Sequence, residues 1–270
     1  MISPAQAALL GIVEGLTEFL PVSSTGHLIL AARCLRLDGD AVKTFEVIVQ
    51  AGALAAVLGL YWARVASMWR GVLGHDAAGR RLFRNVVISF LPSAAAGVGL
   101  HQLITQRLFG FWPVIVALAL GGALMIGVDR WLAERDGAPS RTLSSMTSRD
   151  ALFIGLAQCA SLWPGTSRAM VTIVTALLLG MPLTVAAEYS FLLALPMLGA
   201  ATLLESVSGG RVLLQETGAV AVGCGLVTAA VVATLAMRGF LRYVTRRGLA
   251  PFGWYRIGIA GALSWMALRS

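Results

Sequence analysis

The chain has 270 residues, of which 57% are hydrophobic and 13% charged, with a formal net charge of +8 at pH 7. A soluble domain carries about 25% charged residues, so this composition excludes an ordinary soluble protein and predicts several membrane-spanning helices. The basic residues concentrate in loops between apolar segments, which is typical of the positive-inside rule, so nucleic-acid binding is not expected. The three cysteines lack metal-site spacing.

In chain order, the first apolar segment, about 5–33, is interrupted by Pro21 and a polar cluster. Three uninterrupted segments follow it. A second interrupted segment, about 151–180, breaks at Pro164, and three more uninterrupted segments complete the chain. The six predicted spans cover about 45–66, 85–104, 111–131, 184–205, 217–238 and 252–269.

Non-helical backbone at membrane depth is tolerated only where protein or water satisfies its polar groups. Both interrupted segments therefore predict re-entrant helix–loop–helix hairpins in an all-α polytopic membrane protein. Placing the arginine-rich loops in the cytoplasm makes the first hairpin open to the outside and the second to the cytoplasm. We expect one integral membrane domain, 1–270, built as an inverted-topology repeat with its functional site near the midplane. Its expected parts are repeat 1 (about 1–131), a cytoplasmic linker (about 132–150) and repeat 2 (about 151–270).

The first interruption carries ionisable and hydroxyl side chains, which are expensive at membrane depth and indicate a functional site. Glu14 and Glu18 are four residues apart and share a helix face. They suit a hard divalent cation such as Mg²⁺ or Ca²⁺, a shared proton, or an exposed helix end. Ser23, Ser24 and His27 fit a nucleophile with its base, although one serine is also expected to cap the second half-helix.

The second interruption carries Arg168, the one basic residue of the 151–180 segment. A buried arginine needs an anionic partner, and its planar fork suits either phosphate oxygens or a glutamate of this chain. Glu46, Gln50 and Glu188 lie near the starts of spans. We expect either glutamate to complete a metal shell or to pair with Arg168, and the alternative is that these residues face the membrane interface.

These residues together predict a membrane cavity that holds carboxylates, a hydroxyl, an imidazole and a guanidinium. Arginine with a carboxylate-bound metal favours a phosphorylated substrate, and the apolar walls favour a lipid. The residues alone leave open whether the protein cleaves a lipid phosphate or transports it.

At these positions the chain strongly resembles the undecaprenyl-diphosphatase, or bacitracin-resistance protein, family. The resemblance covers nearly the whole chain in the right order. The matching segments are Glu14-Gly-Leu-Thr-Glu18-Phe-Leu-Pro-Val-Ser-Ser-Thr-Gly-His27, Phe45-Glu46-Val-Ile-Val-Gln50, Pro164-Gly-Thr-Ser-Arg168, Ala187-Glu188-Tyr-Ser-Phe and Phe252-Gly-Trp-Tyr-Arg256.

The resemblance implies metal-dependent hydrolysis of undecaprenyl diphosphate to undecaprenyl phosphate, which recycles the lipid carrier for peptidoglycan synthesis. It implies that Glu14 and Glu18 form the metal and acid–base pair. The expected diphosphate contacts are Arg168, Ser23, Thr25, Ser167 and Thr172. The family pattern usually has Ser-Gly where this chain has Ala169-Met170, which puts position 169 in doubt as a phosphate contact.

In the mechanism that we hypothesise, Ser24 attacks the terminal phosphorus and His27 acts as its base or orients it. The alternative makes His27 the nucleophile. A polyprenyl phosphate transporter or flippase is the rival function, and an intramembrane serine protease ranks low because it needs neither Arg168 nor a carboxylate pair. We expect a bacterial inner (plasma) membrane protein whose site faces the exterior. The sequence leaves a homodimer open.

Overall fold

The computed structural model describes residues 1–100, 106–108, 110–134 and 140–269, which are helical apart from turns and short connections. The prediction of an all-α polytopic membrane protein is confirmed. The end of the predicted span 85–104 and the centre of the predicted linker 132–150 lie outside the described residues.

The first half begins with a broken hairpin, as predicted. Its two arms are separated by a turn, and longer helices follow. In order, the helices are α1 (Pro4–Thr17), α2 (Ser24–Cys34), α3 (Asp40–Ile48), α4 (Gln50–Leu60), α5 (Trp62–Val72), α6 (Ala77–Gly99) and α7 (Phe111–Ala133).

The second half contains a similar series of helices. A hairpin, whose first arm ends in the 3₁₀ turn Cys159–Leu162, precedes a long helix, a short helix and two long helices. In order, these helices are α8 (Ser148–Gln158), α9 (Arg168–Leu178), α10 (Leu183–Ser208), α11 (Gly210–Thr217), α12 (Ala219–Arg247) and α13 (Ala250–Arg269).

Among the described residues, five helical stretches are long and apolar enough to cross a membrane: Asp40–Leu60, Ala77–Gly99, Phe111–Ala133, Leu183–Ser208 and Ala219–Arg247. They correspond to five of the six predicted spans. The first begins earlier than predicted and ends before Tyr61, because the residues from Trp62 onward form the separate helix α5. The sixth predicted span, 252–269, is the long helix α13, and its sequence includes Arg256.

The two halves pack against each other reciprocally. The first hairpin arm α1 lies along α12, and the corresponding arm α8 lies along α6. Both contacts depend on a glycine: a Cβ on Gly11 would lie 2.5 Å from a backbone oxygen of α12, and one on Gly155 would lie 2.6 Å from a backbone oxygen of α6. Small residues allow membrane helices to approach this closely. A repeat would produce such exchanged contacts, but the predicted repeat boundaries stay a prediction.

The last helices of the two halves meet each other. A Cβ on Gly122 of α7 would lie 2.7 Å from the Gly253 carbonyl oxygen, and a Cβ on Gly253 of α13 would lie 2.7 Å from that of Gly122. This close crossing brings α13 against the two hairpin breaks, where the functional residues lie.

Candidate active site

The two hairpin breaks meet at a cavity of about 180 Å³, which we call the inter-hairpin cavity. Both breaks contribute to its wall. Its polar lining residues are Glu18, Ser23, Ser24, Thr25, Gln50, Ser161, Ser167 and Arg168. The two interruptions therefore meet at one cavity.

The two breaks share one backbone feature, a serine with a positive φ angle. Ser23 and Ser167 have positive φ angles, 74° and 72°, which L-residues other than glycine rarely adopt. Each serine immediately precedes a helix, so α2 and α9 both begin at the inter-hairpin cavity. The Ser167 hydroxyl accepts a hydrogen bond from the Met170 amide at 3.2 Å, whereas the Ser23 hydroxyl makes no such cap. The start of α2 is thus left for an anion.

Glu18 joins the two breaks. Its Oε2 accepts a hydrogen bond from the Ser24 hydroxyl at 2.5 Å, and its Oε1 lies 3.1 Å from Arg168 Nη2. All three side chains are largely buried: Ser24 is 8% exposed, and the side chains of Arg168 and Glu18 are 8% and 6% exposed. A carboxylate that accepts a hydrogen bond from a serine hydroxyl is placed to act as a general base, so Glu18 can activate Ser24 for nucleophilic attack.

Arg168 is held by a second set of contacts. Its Nη1 donates to the Ser190 carbonyl at 2.8 Å, and the Ser190 hydroxyl lies 2.6 Å from Thr172 Oγ1. Arg168 Nε has no hydrogen-bond partner, so the guanidinium retains a free donor in the buried site. Sequence reasoning did not identify Ser190, although it lies inside the Ala187–Phe191 segment that carries the resemblance.

His27 makes no hydrogen bond to the Ser24 hydroxyl, so the predicted Ser24–His27 pairing is not formed. Its Nδ1 lies 2.7 Å from the Ser23 carbonyl oxygen, and its Nε2 lies 2.8 Å from the Tyr255 hydroxyl. The two rings are stacked with an interplanar angle of 5°. Since a carbonyl only accepts, Nδ1 carries the proton and Nε2 accepts from tyrosine. Both nitrogens are therefore engaged away from Ser24.

Of the remaining residues predicted to contact the diphosphate, some line the cavity and others only contact residues that line it. Thr25 and Ser167 line the inter-hairpin cavity. Thr172 does not line it: its hydroxyl donates to the Arg168 carbonyl at 2.9 Å and pairs with Ser190. Ala169 is fully buried in the main core cluster and does not line the inter-hairpin cavity.

Glu46 and Glu188 do not pair with Arg168. Glu188 Oε1 instead lies 2.7 Å from Arg64 Nε, so the predicted pairing of Glu188 with Arg168 is wrong. The reason is that α5, which sequence reasoning did not separate from the preceding span, carries Arg64 to the start of α10. Gln50 does line the inter-hairpin cavity.

Glu14 is the one carboxylate among the described residues whose two oxygens are both buried without a hydrogen-bond partner. It is fully buried and interacts electrostatically with Glu18, Glu46 and Arg168. The described residues contain no group of three or more His, Cys, Asp or Glu arranged to hold a metal ion. Mg²⁺ however commonly binds through one or two carboxylates plus water and substrate phosphate, so Glu14 with Glu18 fits such an ion.

Arg256 is a further residue of the site whose role sequence reasoning missed. It is completely buried and donates to five backbone carbonyls: those of Pro21, Ala117, Leu118, Gly165 and Thr166, at 2.8 to 3.2 Å. Pro21 belongs to the first break, whereas Gly165 and Thr166 belong to the second. One guanidinium on α13 therefore ties both breaks together. Its signal in the sequence was the arginine inside an otherwise apolar span.

Comparison with known proteins extends this picture. The family model described as bacitracin resistance protein BacA matches residues 7–262. An undecaprenyl-diphosphatase of Sorangium cellulosum (strain So ce56) is 47% identical over 261 residues, covering 96% of this chain and 85% of that protein. One of Rhizorhabdus wittichii is 45% identical over 264 residues, covering 97% of each chain. Undecaprenyl-diphosphatase 1 of Burkholderia thailandensis is 42% identical, covering 97% of this chain and 98% of its own.

Proposed function

This chain belongs to the family described as bacitracin resistance protein BacA, and we propose that it hydrolyses undecaprenyl diphosphate to undecaprenyl phosphate and inorganic phosphate. In the cell this reaction recycles the lipid carrier of peptidoglycan synthesis and confers bacitracin resistance. The observation that carries the proposal is the group Ser24–Glu18–Arg168, which combines a hydroxyl, a base and a cation in one buried cavity.

The geometry favours Ser24 as nucleophile and Glu18 as its base. Ser24 Oγ forms a bond to the terminal phosphorus, the bond from that phosphorus to the bridging oxygen breaks, and undecaprenyl phosphate leaves. Glu18 takes the hydroxyl proton through the hydrogen bond already present. Water then cleaves the phosphoserine to the Ser24 hydroxyl and phosphate, and Glu18 releases its proton. In this scheme His27 is not the base that the sequence predicted. It instead donates a hydrogen bond to the Ser23 carbonyl oxygen and holds it in place.

Charge neutralisation supplies much of the rate in phosphoryl transfer. Arg168 contributes its unpartnered Nε donor, and the start of α2 contributes amide hydrogens that no side chain caps. Glu14 and Glu18 would hold a divalent cation, Mg²⁺ or Ca²⁺, which supplies further neutralisation of the diphosphate when it is bound.

An apolar groove beside the cavity suits the polyprenyl chain of the substrate. It is lined by residues of α2, α7 and α13, and it shares Pro164 with the inter-hairpin cavity. Its lining is formed by Gly26, Ile29, Leu30, Arg33, Gly110, Phe111, Val114, Ile115, Pro164 and Leu263. A diphosphate in the cavity can therefore extend its tail past Pro164 into apolar surroundings.

We place the protein in the bacterial inner (plasma) membrane with the site open to the exterior. The support is the distribution of arginine: the segments 64–84 and 238–247 are rich in it, and the positive-inside rule puts such segments in the cytoplasm. The first hairpin then opens on the opposite side.

The test is phosphate release from farnesyl diphosphate by purified protein in detergent, first with Mg²⁺ or Ca²⁺ and then with EDTA. We expect metal-dependent release that Ser24→Ala and Arg168→Ala abolish, while the exposed-site variant Arg238→Ala retains it. A transporter needs two compartments and releases no phosphate in detergent. If the purified protein is folded but releases no phosphate, the phosphatase proposal is rejected in favour of a lipid phosphate transporter.

A further inference from the structure

A second groove is formed by α12 and α13 together with the end of α1 and the first residues of the break that follows it. We call it the α12–α13 groove. It has a volume of about 520 Å³ and is lined mainly by apolar side chains, among them Leu16, Leu20, Phe240, Tyr243, Phe252 and Tyr255. It shares no lining residue with the inter-hairpin cavity or with the groove beside Pro164. Apart from Tyr255, which hydrogen-bonds His27, the proposed reaction assigns no role to the residues of this groove.

The α12–α13 groove opens at one end onto a basic surface. Gly239 and Tyr243 line both the groove and an adjoining hollow whose other residues are Arg242, Arg246 and Arg247. These three arginines are exposed. None of them has a carboxylate within ion-pair distance among the described residues. An apolar groove thus continues directly into three uncompensated positive charges.

The length of α12 places these features at matching membrane depths. Its 29 residues span about 43 Å, whereas the hydrocarbon core is about 30 Å thick, so its arginine-bearing last turns extend into the headgroup region. Phe240 and the residues before it then lie at the level of acyl chains. Along the membrane normal, the arginines therefore lie at the depth of the phosphates of phospholipids, and the apolar groove lies at the depth of their acyl chains.

We propose that the α12–α13 groove binds an anionic phospholipid, with one acyl chain along Leu20, Phe240 and Phe252 and the phosphate against Arg242, Arg246 and Arg247. Charge complementarity selects an anionic over a zwitterionic headgroup, because three positive charges that pair with no carboxylate of the described residues meet the phosphate. Binding of the acyl chain in the groove distinguishes this site from the diffuse attraction of basic loops to an anionic membrane surface.

Two variants test separately the binding of the acyl chain in the groove and the binding of the headgroup by the arginines. At Gly239 a Cβ would meet no atom within 4 Å, so Gly239→Leu can fill the groove without altering charge or displacing a neighbour. Gly258→Leu is its control, since position 258 is also open and exposed and lies on α13. The triple change of Arg242, Arg246 and Arg247 to Ala removes the headgroup contacts. Its charge-matched control changes the exposed Arg80, Arg81 and Arg84 to Ala.

The measurement is the thermal unfolding midpoint of purified protein in detergent with added dioleoylphosphatidylglycerol, dioleoylphosphatidylcholine or inorganic phosphate. We expect phosphatidylglycerol to raise the midpoint of the wild type and both controls by on the order of 5 °C. We expect no such increase for Gly239→Leu or the Arg242/Arg246/Arg247 variant. The other two additives should have little effect on any of these proteins.

If phosphatidylglycerol raises the unfolding midpoint of Gly239→Leu as much as that of the wild type, the proposal is overturned. The headgroup would then be attracted without any binding of the acyl chain in the groove. Equal loss in the Arg80/Arg81/Arg84 control would overturn it as well. If Gly239→Leu does not fold, a wild-type response to inorganic phosphate equal to that for phosphatidylglycerol would still reject an acyl-chain seat. The readout is stability, so it is independent of phosphatase activity.

Discussion

Ser23 and Ser167 have nearly the same strained backbone conformation, with φ of 74° and 72°, and each precedes the second arm of its hairpin. Positive φ in a residue with a Cβ costs about 1–3 kcal/mol and persists where the surrounding structure enforces it. The two strained serines set the directions in which α2 and α9 leave the inter-hairpin cavity.

This pair gives an asymmetric prediction for glycine substitution. Glycine adopts positive φ without strain, so Ser23→Gly should raise the free energy of unfolding by about 1 kcal/mol. Ser167→Gly should stabilise the protein less, because it also removes the hydrogen bond from the Met170 amide, and the loss of an N-cap serine to glycine costs a few tenths of a kcal/mol. Thermal unfolding of both variants checks this. Equal stabilisation of the two would mean that the Ser167 cap contributes nothing.

The hydrogen bond from Ser24 to Glu18 predicts a catalytic pair that acts as a unit. Ser24→Ala should lower kcat/KM by at least about 10³-fold, and Glu18→Gln by about 10²–10⁴-fold. The double variant should be little worse than Ser24→Ala, because the base has no purpose without its nucleophile. Phosphate release from farnesyl diphosphate measures all three.

His27 provides the contrast for this prediction. Because its imidazole contacts the Ser23 carbonyl and Tyr255 rather than Ser24, His27→Gln should cost less activity than Glu18→Gln. A phosphohistidine trapped in Ser24→Ala protein that still turns over would instead make His27 the nucleophile.

Local sequence patterns were sufficient to predict the two breaks, since Pro21 and Pro164 interrupt apolar segments that are otherwise continuous. Contacts between distant elements were not predictable in this way. The partner of His27 Nε2 is Tyr255, which is 228 positions away on a helix whose rotation depends on the packing of α13 against α7. The pairing of Glu188 with Arg64 likewise depends on where α5 separates from the preceding helix. Spacing along the chain carries neither piece of information.

The buried, unpartnered carboxyl of Glu14 predicts a metal effect on stability. In EDTA, Glu14→Gln should be more stable than the wild type by roughly 1–3 kcal/mol, because the amide carries no negative charge and so removes the repulsion of this buried carboxyl by Glu18 and Glu46. Mg²⁺ should raise the unfolding midpoint of the wild type but not of Glu14→Gln. The exposed Glu216→Gln is the control and should respond like the wild type. A full Mg²⁺ response in Glu14→Gln would remove Glu14 from the metal site.

Arg256 predicts a separation of stability from activity. Arg256→Ala removes the guanidinium donor from five carbonyls. Those of Ala117 and Leu118 lie within α7 and keep its helical hydrogen bonding. Those of Pro21, Gly165 and Thr166 lie in the breaks, so we expect a loss of about 3 kcal/mol or more. Lysine has three donors on a single nitrogen and cannot replace a planar fork that reaches both breaks. Arg256→Lys should therefore fold with reduced stability but lose kcat disproportionately, because Pro21 on one side and Gly165 on the other are no longer held together.

The measurement compares kcat and the unfolding midpoint of Arg256→Lys with those of Arg238→Lys, an exposed position on α12 that should change neither. If Arg256 served the core alone, kcat of the folded Arg256→Lys protein would stay at the wild-type level while the midpoint fell. A fall in kcat at temperatures well below the midpoint, with KM little changed, is the result expected when the guanidinium sets the distance between Ser24 and Arg168. Such a fall would identify Arg256 as a positioning residue of the reaction.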